Sequence, residues 1–439
     1  MEILDAVVCG DHVLTMDRDL RVLEGGAVAV RASLIVEVGP LDALLARYRT
    51  RKVIGGPGRI VLPGLVNTHT HAAMVLFRGL ADDIPLKDWL EGHIWPAENR
   101  WLSAEFVSDA IALACLEMLK AGITTYNDMY FFGDETGRTT KKMGMRAVLG
   151  VGILDFPSVS ASTQDEYFEK AERFLDAWQG DDLITPCIAP HAVYTCGPET
   201  LARAASLAGK FRSLIHIHLS ETDWEVQECL NRYGRRPVEH LAALGLLSPQ
   251  LLAAHCVWLT DREIHLIARS GAGVSHCMES NLKLASGISP VPRMIAAGAK
   301  VTFGTDGAAS NNDLSILSEM STAAKVHKAL GKDPTLLDSK TALLMATRWG
   351  AEALGLGETT GSLEEGKAAD LIVIDTRSPH LTPLYNVYSH LVYSATASDV
   401  ESVMINGDLV IENRRHTKAD ENQILEKARR WAEKIRSRQ

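Results

Sequence analysis

Eight apolar, β-branched runs alternate with helical stretches through the middle of this chain, and that alternation restricts the fold more than any other feature. The runs are LPGLVNTHTH (62–71), GITTYNDM (122–129), MRAVLGVGIL (145–154), LITPCIAPH (183–191), SLIHIHLSE (213–221), LLAAHCVWL (251–259), GAGVSHC (271–277) and KVTFGTDG (300–307). Apolar runs separated by helical segments are the pattern of parallel strands covered by crossover helices. Patterns such as SAEFVSDAIALACLEMLKAG and DEYFEKAERFLDAWQG supply those helices, each ending at or near a glycine suited to a C-cap. Eight strand-and-helix units predict an α/β fold, a (β/α)8 TIM barrel over residues 62–364.

The 439 residues exceed what a barrel needs, so a second unit is expected. Residues 1–61 read as short strands (ILDAVVCG, HVLTMD, GGAVAVR, SLIVEVG, KVIGGPGRIVL) with little helix, and the same texture returns in ADLIVID and ESVMINGDLVIE. A small β-sandwich domain formed from both chain ends, residues 1–61 with 365–420, is the expectation. Residues 421–439, ENQILEKARRWAEKIRSRQ, carry opposite charges on neighbouring turns and predict a solvated C-terminal helix.

A net charge of −10 argues against a nucleic-acid or anionic-membrane partner, since both select a basic face. Seven cysteines without a C-x-x-C pair read as reduced, buried thiols rather than a disulfide framework or zinc knuckle. The first residues interrupt their apolar run with acids and carry no basic leader, and no apolar stretch reaches the roughly 20 residues that span a bilayer. A cytoplasmic location is expected.

Side chains with ligand chemistry recur at the C-terminal ends of the candidate strands, the rim where barrels of this kind do their chemistry. His69 and His71 close the first strand, and alternation along a strand sends an H-x-H pair to one side. With His218 on the fifth strand and Asp306 on the eighth, they form a borderline-soft set suited to one Zn2+ per subunit, with iron or manganese also accepted. Any one of these histidines alone reads better as a hydrogen-bonded rim residue; together they read as ligands. His216 and His218 form a second H-x-H in which either imidazole could ligate, and His218 is preferred for its spacing to Glu221. Zinc lowers the pKa of bound water toward about 7, with Glu221 as proton shuttle, His255 stabilising the developing charge and Asp306 sharing the work as ligand and as hydrogen-bond partner to the attacking hydroxide. The fourth strand has no lysine to bridge a second metal, and the H-x-E with P-C-x-x-C pattern of cytidine-deaminase-like folds is missing.

The segments PGLVNTHTH, HLSET, AAHCVWL, SNLKLASGISPV and TFGTDGAASNN resemble the amidohydrolase superfamily, specifically its 5′-methylthioadenosine/S-adenosylhomocysteine deaminases, along nearly the whole chain. The resemblance implies metal ligands at His69, His71, His218 and Asp306 and proton-transfer residues at Glu221 and His255. It also implies that Glu98 holds the ribose hydroxyls and that His191 contacts the nucleoside, with a homodimer as the assembly. Without it, Glu98 would read as a solvated glutamate; Trp89 reads either as a cover for the base or as a packed tryptophan, and His276 as support behind the ligands. Relatives that take S-adenosylhomocysteine carry arginines near the third strand's end, whereas GVGILDFPSVSASTQDEY has no arginine or lysine. Deamination of 5′-methylthioadenosine or adenosine is therefore expected ahead of S-adenosylhomocysteine. The rival readings are an amidohydrolase acting on guanine, cytosine, a pterin or a chlorinated triazine, and a silent relative that only binds.

Overall fold

The computed structural model describes residues 2–437; the last two positions of the expected C-terminal helix lie outside the described residues. All eight expected strands form, as β1 (Leu65–Thr70), β2 (Ile123–Tyr130), β3 (Arg146–Ile153), β4 (Ile184–Pro190), β5 (Ile215–Leu219), β6 (Leu251–His255), β7 (Gly273–His276) and β8 (Lys300–Phe303). They pair in parallel in chain order as one eight-stranded sheet. Except for one intermediate residue in β8 and two in β4, every strand residue is buried, as a sheet covered on one side by helices and filled on the other requires.

Polar side chains close the barrel where its first and last strands meet. Asn67 Nδ2 donates to Thr305 Oγ1 (2.7 Å) and its Oδ1 accepts from Thr305 N (3.0 Å), while Thr68 Oγ1 donates to the Phe303 carbonyl (2.9 Å). One step nearer the rim, Asp306 N donates to the His69 carbonyl at 2.9 Å. The strands approach so closely that a Cβ on Gly304 would lie 2.7 Å from the His69 Cβ. Glycine is required there by space rather than by φ.

Local signals start and stop the helices that carry the chain back. Thr222 Oγ1 caps the helix Asp223–Tyr233, which ends on Gly234 at φ +66°. Thr260 and Glu263 form a capping box ahead of Asp261–Ser270, which ends on Gly271 at φ +76°. The final helix, Glu421–Arg436, packs on the barrel through Ile424, Trp431 and Ile435, with Trp431 Nε1 donating to Asp109 at 3.0 Å.

Strands from both chain ends share a second, nine-stranded sheet in which Leu371–Asp375 pairs antiparallel with Val53–Pro63. Alternation along Ala6–Leu14 splits its core: Ala6 and Val8 join Val28, Val30, Leu371 and Val373, whereas Val7 and Cys9 pack with Leu4 and Leu44 on the other face. Leu44 lies on a short helix, Leu41–Arg47, that the strand-like texture of this region had hidden. Among the described residues, no helix is long and apolar enough to cross a membrane.

A buried ion pair ties the two sheets together at the end of the barrel opposite the rim. Arg146, the first residue of β3, donates from Nε to Asp370 Oδ2 at 2.6 Å, and Asp370 Oδ1 accepts from Asn406 N at 2.7 Å. Their side chains are 4% and 0% exposed, so removing one charge strands the other away from water. Asp370→Asn is expected to lower the unfolding free energy by about 3 kcal/mol, read as a reduced urea midpoint; an unchanged midpoint would show that the pair contributes nothing.

Candidate metal centre and active site

At the rim the backbone leaves its strands by sharp turns. Ser220, His255 and Asp306 adopt left-handed φ values of +51°, +72° and +62°, conformations that L-residues adopt at a cost. These turns follow β5, β6 and β8, and the side chains beside them converge.

His69 Nε2 and His71 Nε2 lie 3.5 and 3.4 Å from Asp306 Oδ1, and His71 Nε2 lies 3.2 Å from His218 Nε2. The four groups expected as ligands are thus brought together. His71 donates its Nδ1 proton to the Met129 carbonyl (2.6 Å) and His218 its own to the His191 carbonyl (2.8 Å). Burial pushes both imidazoles below their ordinary pKa, so each presents a bare Nε2 lone pair to the other. His69, lowered to about 4 by burial, has an Nε2 atom with no hydrogen-bond partner. Opposed lone pairs beside a carboxylate fit a cation, and the donor set suits a borderline metal such as zinc. Burial works to raise the Asp306 pKa, but the surrounding imidazoles of His69, His71 and His255 hold it well below the usual range, leaving a full negative charge in the cluster.

Glu221 and His255 stand beside this cluster. Glu221 Oε2 lies 3.8 Å from His255 Nε2, and its Oε1 accepts from Ser286 Oγ at 3.3 Å. Burial raises the Glu221 pKa, a shift suited to a carboxyl that alternately takes and gives a proton. For His255, burial works downward but the carboxylates of Glu221 and Asp306 outweigh it, so its pKa rises. Its Nε2 is also within 4.8 Å of the ligand atoms of His69 and His218, a closeness that strand order does not disclose.

Several groups that hold these side chains carried no assignable role in the sequence. Ser280 Oγ (2.6 Å) and Ser310 Oγ (2.9 Å) donate to Asp306 Oδ2, leaving Oδ1 toward the histidines. His255 Nδ1 donates to Asn281 Oδ1 at 2.9 Å, which turns Nε2 toward Glu221. Ser280 and Asn281 are neighbours on the short helix Met278–Lys283, so one element braces both a carboxylate and an imidazole. Glu225 accepts from the backbone N–H of Ser220 (2.7 Å) and Glu221 (2.8 Å), fixing the turn that presents Glu221. The segments HLSET and SNLKLASG contain or adjoin these residues, but which atom meets which is a tertiary matter.

His216 sits one layer below the cluster. Its Nε2 shares a 2.8 Å hydrogen bond with His69 Nδ1 and its Nδ1 meets Asn127 Nδ2 at 3.0 Å, so both nitrogens are engaged by protein while His218 faces the cluster. His276 is fully buried, packs on Phe303 and faces His327 Nε2 at 3.3 Å, toward the helix Ile316–Gly331 rather than behind the metal cluster.

A cavity of about 420 Å3 opens over the cluster, lined by His71, His218, Glu221, His255 and Asp306 on one side and by Glu98, Trp89, Trp95 and His191 among others. Glu98 is not solvated: it is 6% exposed on the helix Trp95–Trp101, and Tyr130 Oη donates to its Oε1 at 2.6 Å. A π-helical turn, Leu90–Ile94, precedes that helix, a distortion frequent at functional sites. His191 follows β4, its ring centroid 4.7 Å from that of His218 and its Nδ1 3.0 Å from Thr195 Oγ1. Trp89 is 4% exposed with Nε1 donating to the Ala81 carbonyl (3.0 Å); it is packed and shows the cavity only part of its surface.

Residues 60–410 match the Amidohydrolase family, and residues 26–49 match an imidazolonepropionase-like composite domain of bacteria. This chain belongs to the amidohydrolase family. This amidohydrolase is 52% identical to a 5-methylthioadenosine/S-adenosylhomocysteine deaminase of Thermodesulfovibrio yellowstonii, over 98% of the chain and 99% of the relative. It is 44% identical to a 5′-deoxyadenosine deaminase of Methanosarcina barkeri, over 99% of each. Among solved structures it resembles a zinc-bound adenosine deaminase from Xanthomonas campestris, with a TM-score of 0.98 and 42% identity over 99% of both chains.

In this amidohydrolase the buried Glu98 carboxyl has a stability signature. Burial raises the Glu98 pKa to about 7, so the folded state binds its proton more tightly than the unfolded chain, whose ordinary value is 4.5. Stability from this group is complete below pH 4.5 and is lost as pH rises through 7, by about 3 kcal/mol in total. Glu98→Gln should therefore remove that slope, giving a ligand-free protein more stable than the parent at pH 8 but not at pH 4; urea unfolding at the two pH values reads the difference.

Proposed function

We infer that this amidohydrolase hydrolytically deaminates an adenine nucleoside at C6, giving the inosine analogue and ammonia, with 5′-methylthioadenosine and adenosine as its preferred substrates. The observation that carries this reading is the pairing, across one cavity, of a His69, His71, His218 and Asp306 cluster with a buried carboxylate, Glu98, that can accept from two vicinal hydroxyls. The names of relatives that match nearly end to end supply the reaction class.

One divalent ion per subunit, zinc by donor set, would be held by those four groups, where it acidifies a water toward a pKa of about 7 and so supplies the nucleophile. Glu221 takes a proton from the attacking water and gives it to the ring nitrogen beside C6, which makes that carbon electrophilic. His255, positively biased by its carboxylate neighbours, stabilises the charge that develops on the attacking oxygen. Asp306 Oδ1 accepts the hydrogen bond that aims this oxygen at C6, while Ser280 and Ser310 keep Oδ2 occupied. The hydroxyl added at C6 then gives up its remaining proton, which Glu221 passes to the amino nitrogen; the C–N bond breaks, C6 keeps its oxygen as a carbonyl and ammonia leaves. Glu98 anchors the ribose and His191 lines the wall beside it. His218 near the end of β5 and Glu221 two residues beyond that strand bring ligand and shuttle to the same stretch of the rim.

The rival amidohydrolase chemistries on free bases or triazines have no use for a buried carboxylate opposite the metal cluster. Steady-state release of ammonia from 5′-methylthioadenosine by metal-loaded enzyme tests the reading, and no release from any adenine nucleoside would overturn it. Glu221→Gln is expected to lower kcat by about 10^2 to 10^4 with KM nearly unchanged. Glu98→Ala should instead raise KM for nucleosides and leave turnover of free adenine, if any, where it was. Zinc at about a hundred times its Kd should stabilise the metal-free protein by about 2.7 kcal/mol, and this thermal shift should vanish in Asp306→Ala.

A further inference from the structure

The carboxylate opposite the metal cluster stands on a lighter scaffold than the cluster itself. The clustered side chains leave barrel strands or the turns that follow them, whereas Glu98 belongs to the connection between β1 and the helix Ala104–Lys120. That connection is built of short pieces: Ala72–Phe77, Leu86–Trp89, Leu90–Ile94 and Trp95–Trp101. Strand register therefore does not fix how far Glu98 lies from the metal cluster. A nucleoside has to span that interval, with C6 at one end and its sugar hydroxyls at the other, and small errors of placement there are costly.

One side chain crosses the interval. Tyr130 is the last residue of β2, pairs with Val151 of β3 and is buried. Its ring lies tilted against the His71 imidazole, with 6.3 Å between centroids, and Phe131 packs on it at 5.4 Å. Its Oη donates to Glu98 Oε1 at 2.6 Å. Burial and this one hydroxyl are what act on the Glu98 carboxyl. Both residues line the cavity. A carboxylate accepts along about four lone-pair directions, so the phenol occupies one and leaves the others for a sugar. It also removes a freedom, because a glutamate side chain on a short helix has several rotamers and a bond to a strand residue selects among them.

We propose that Tyr130 is the positioning residue for sugar recognition: anchored beside His71, it sets the span from the metal cluster to Glu98 and aims that carboxylate so that both vicinal hydroxyls are accepted together. The inference rests on the nucleoside reading and deepens it. Tyr130 takes no part in the proton transfers and acts through Glu98. Selection of a ribose over a sugar without the diol thus belongs to the Tyr130–Glu98 pair and not to the glutamate alone. Without the phenol the carboxylate samples other rotamers, and ordering it at each binding event costs affinity.

The test measures kcat and KM for adenosine and 2′,3′-dideoxyadenosine with the parent, Tyr130→Phe, Glu98→Ala and the double variant, each loaded with zinc and checked for metal content. The parent is expected to prefer adenosine by about a hundredfold or more in kcat/KM, since a site built to bind hydroxyls rejects the analogue that lacks them. Tyr130→Phe keeps the ring against His71; it should raise KM for adenosine about tenfold or more, leave kcat within about threefold and leave dideoxyadenosine turnover as it was. In the Glu98→Ala background the same change should cost nothing further, because the group it acts through is gone. A loss shared equally by the two nucleosides, a loss of zinc, or a loss that adds in full to that of Glu98→Ala would assign Tyr130 to the fold or to the metal cluster and overturn the proposal. A parent that deaminates both nucleosides equally well also overturns it and leaves the nucleoside reading standing. If the parent releases ammonia from no adenine nucleoside, the nucleoside reading falls and this one with it.

Discussion

The whole site depends on how the parallel sheet closes on itself. Two of the clustered histidines leave the first strand and the carboxylate follows the last, some 235 residues later, so nothing local brings them together. The seam does, through Asn67 with Thr305, Thr68 with Phe303 and the Asp306 N–H on the His69 carbonyl. Because that last bond joins residues that are themselves in the cluster, closing the barrel and placing Asp306 Oδ1 within 3.5 Å of His69 Nε2 are one event. The missing side chain at Gly304 lets it happen.

A cluster of imidazoles and carboxylates without water around it is costly, and the barrel offsets that cost by pairing outward-facing atoms. Backbone carbonyls take the Nδ1 protons of His71 and His218, Asn281 takes that of His255, and two serines occupy the outer oxygen of Asp306. His69 Nε2, His71 Nε2, His218 Nε2 and Asp306 Oδ1 face inward, at one place. Left-handed backbone at Ser220, His255 and Asp306 adds strain at the same rim, while the opposite end of the barrel carries the buried Arg146–Asp370 pair that binds it to the second sheet. The division between a rim that serves chemistry and a base that serves stability follows from strand direction alone.

The loops after the first, fifth and sixth strands do a different task. They raise the walls of the cavity, place Glu98 opposite the metal cluster and extend an aromatic surface outward to Trp224 and Trp258. The sequence offered no arginine near the third strand's end for a substrate carboxylate.

The amino-acid sequence alone determined the barrel, since apolar β-branched runs buried on both faces have few other homes, and it pointed to a candidate donor set, because His69, His71, His218 and Asp306 stand where strands end. It also foretold one β unit drawn from both chain ends, expected as a β-sandwich, where the strands of the two ends lie together in a nine-stranded sheet. It left His216 and His218 unresolved, because alternation sends both to the same side and only depth along the barrel axis separates them. It offered no sign that Glu98 is buried against Tyr130, that His276 turns to His327, or that Ser280 and Asn281 brace residues on two other strands. Periodicity records which side of an element faces inward, a property of near neighbours in the chain. Which atoms then meet across the barrel depends on closure and on the turns at the rim, and those exist only once distant strands have paired.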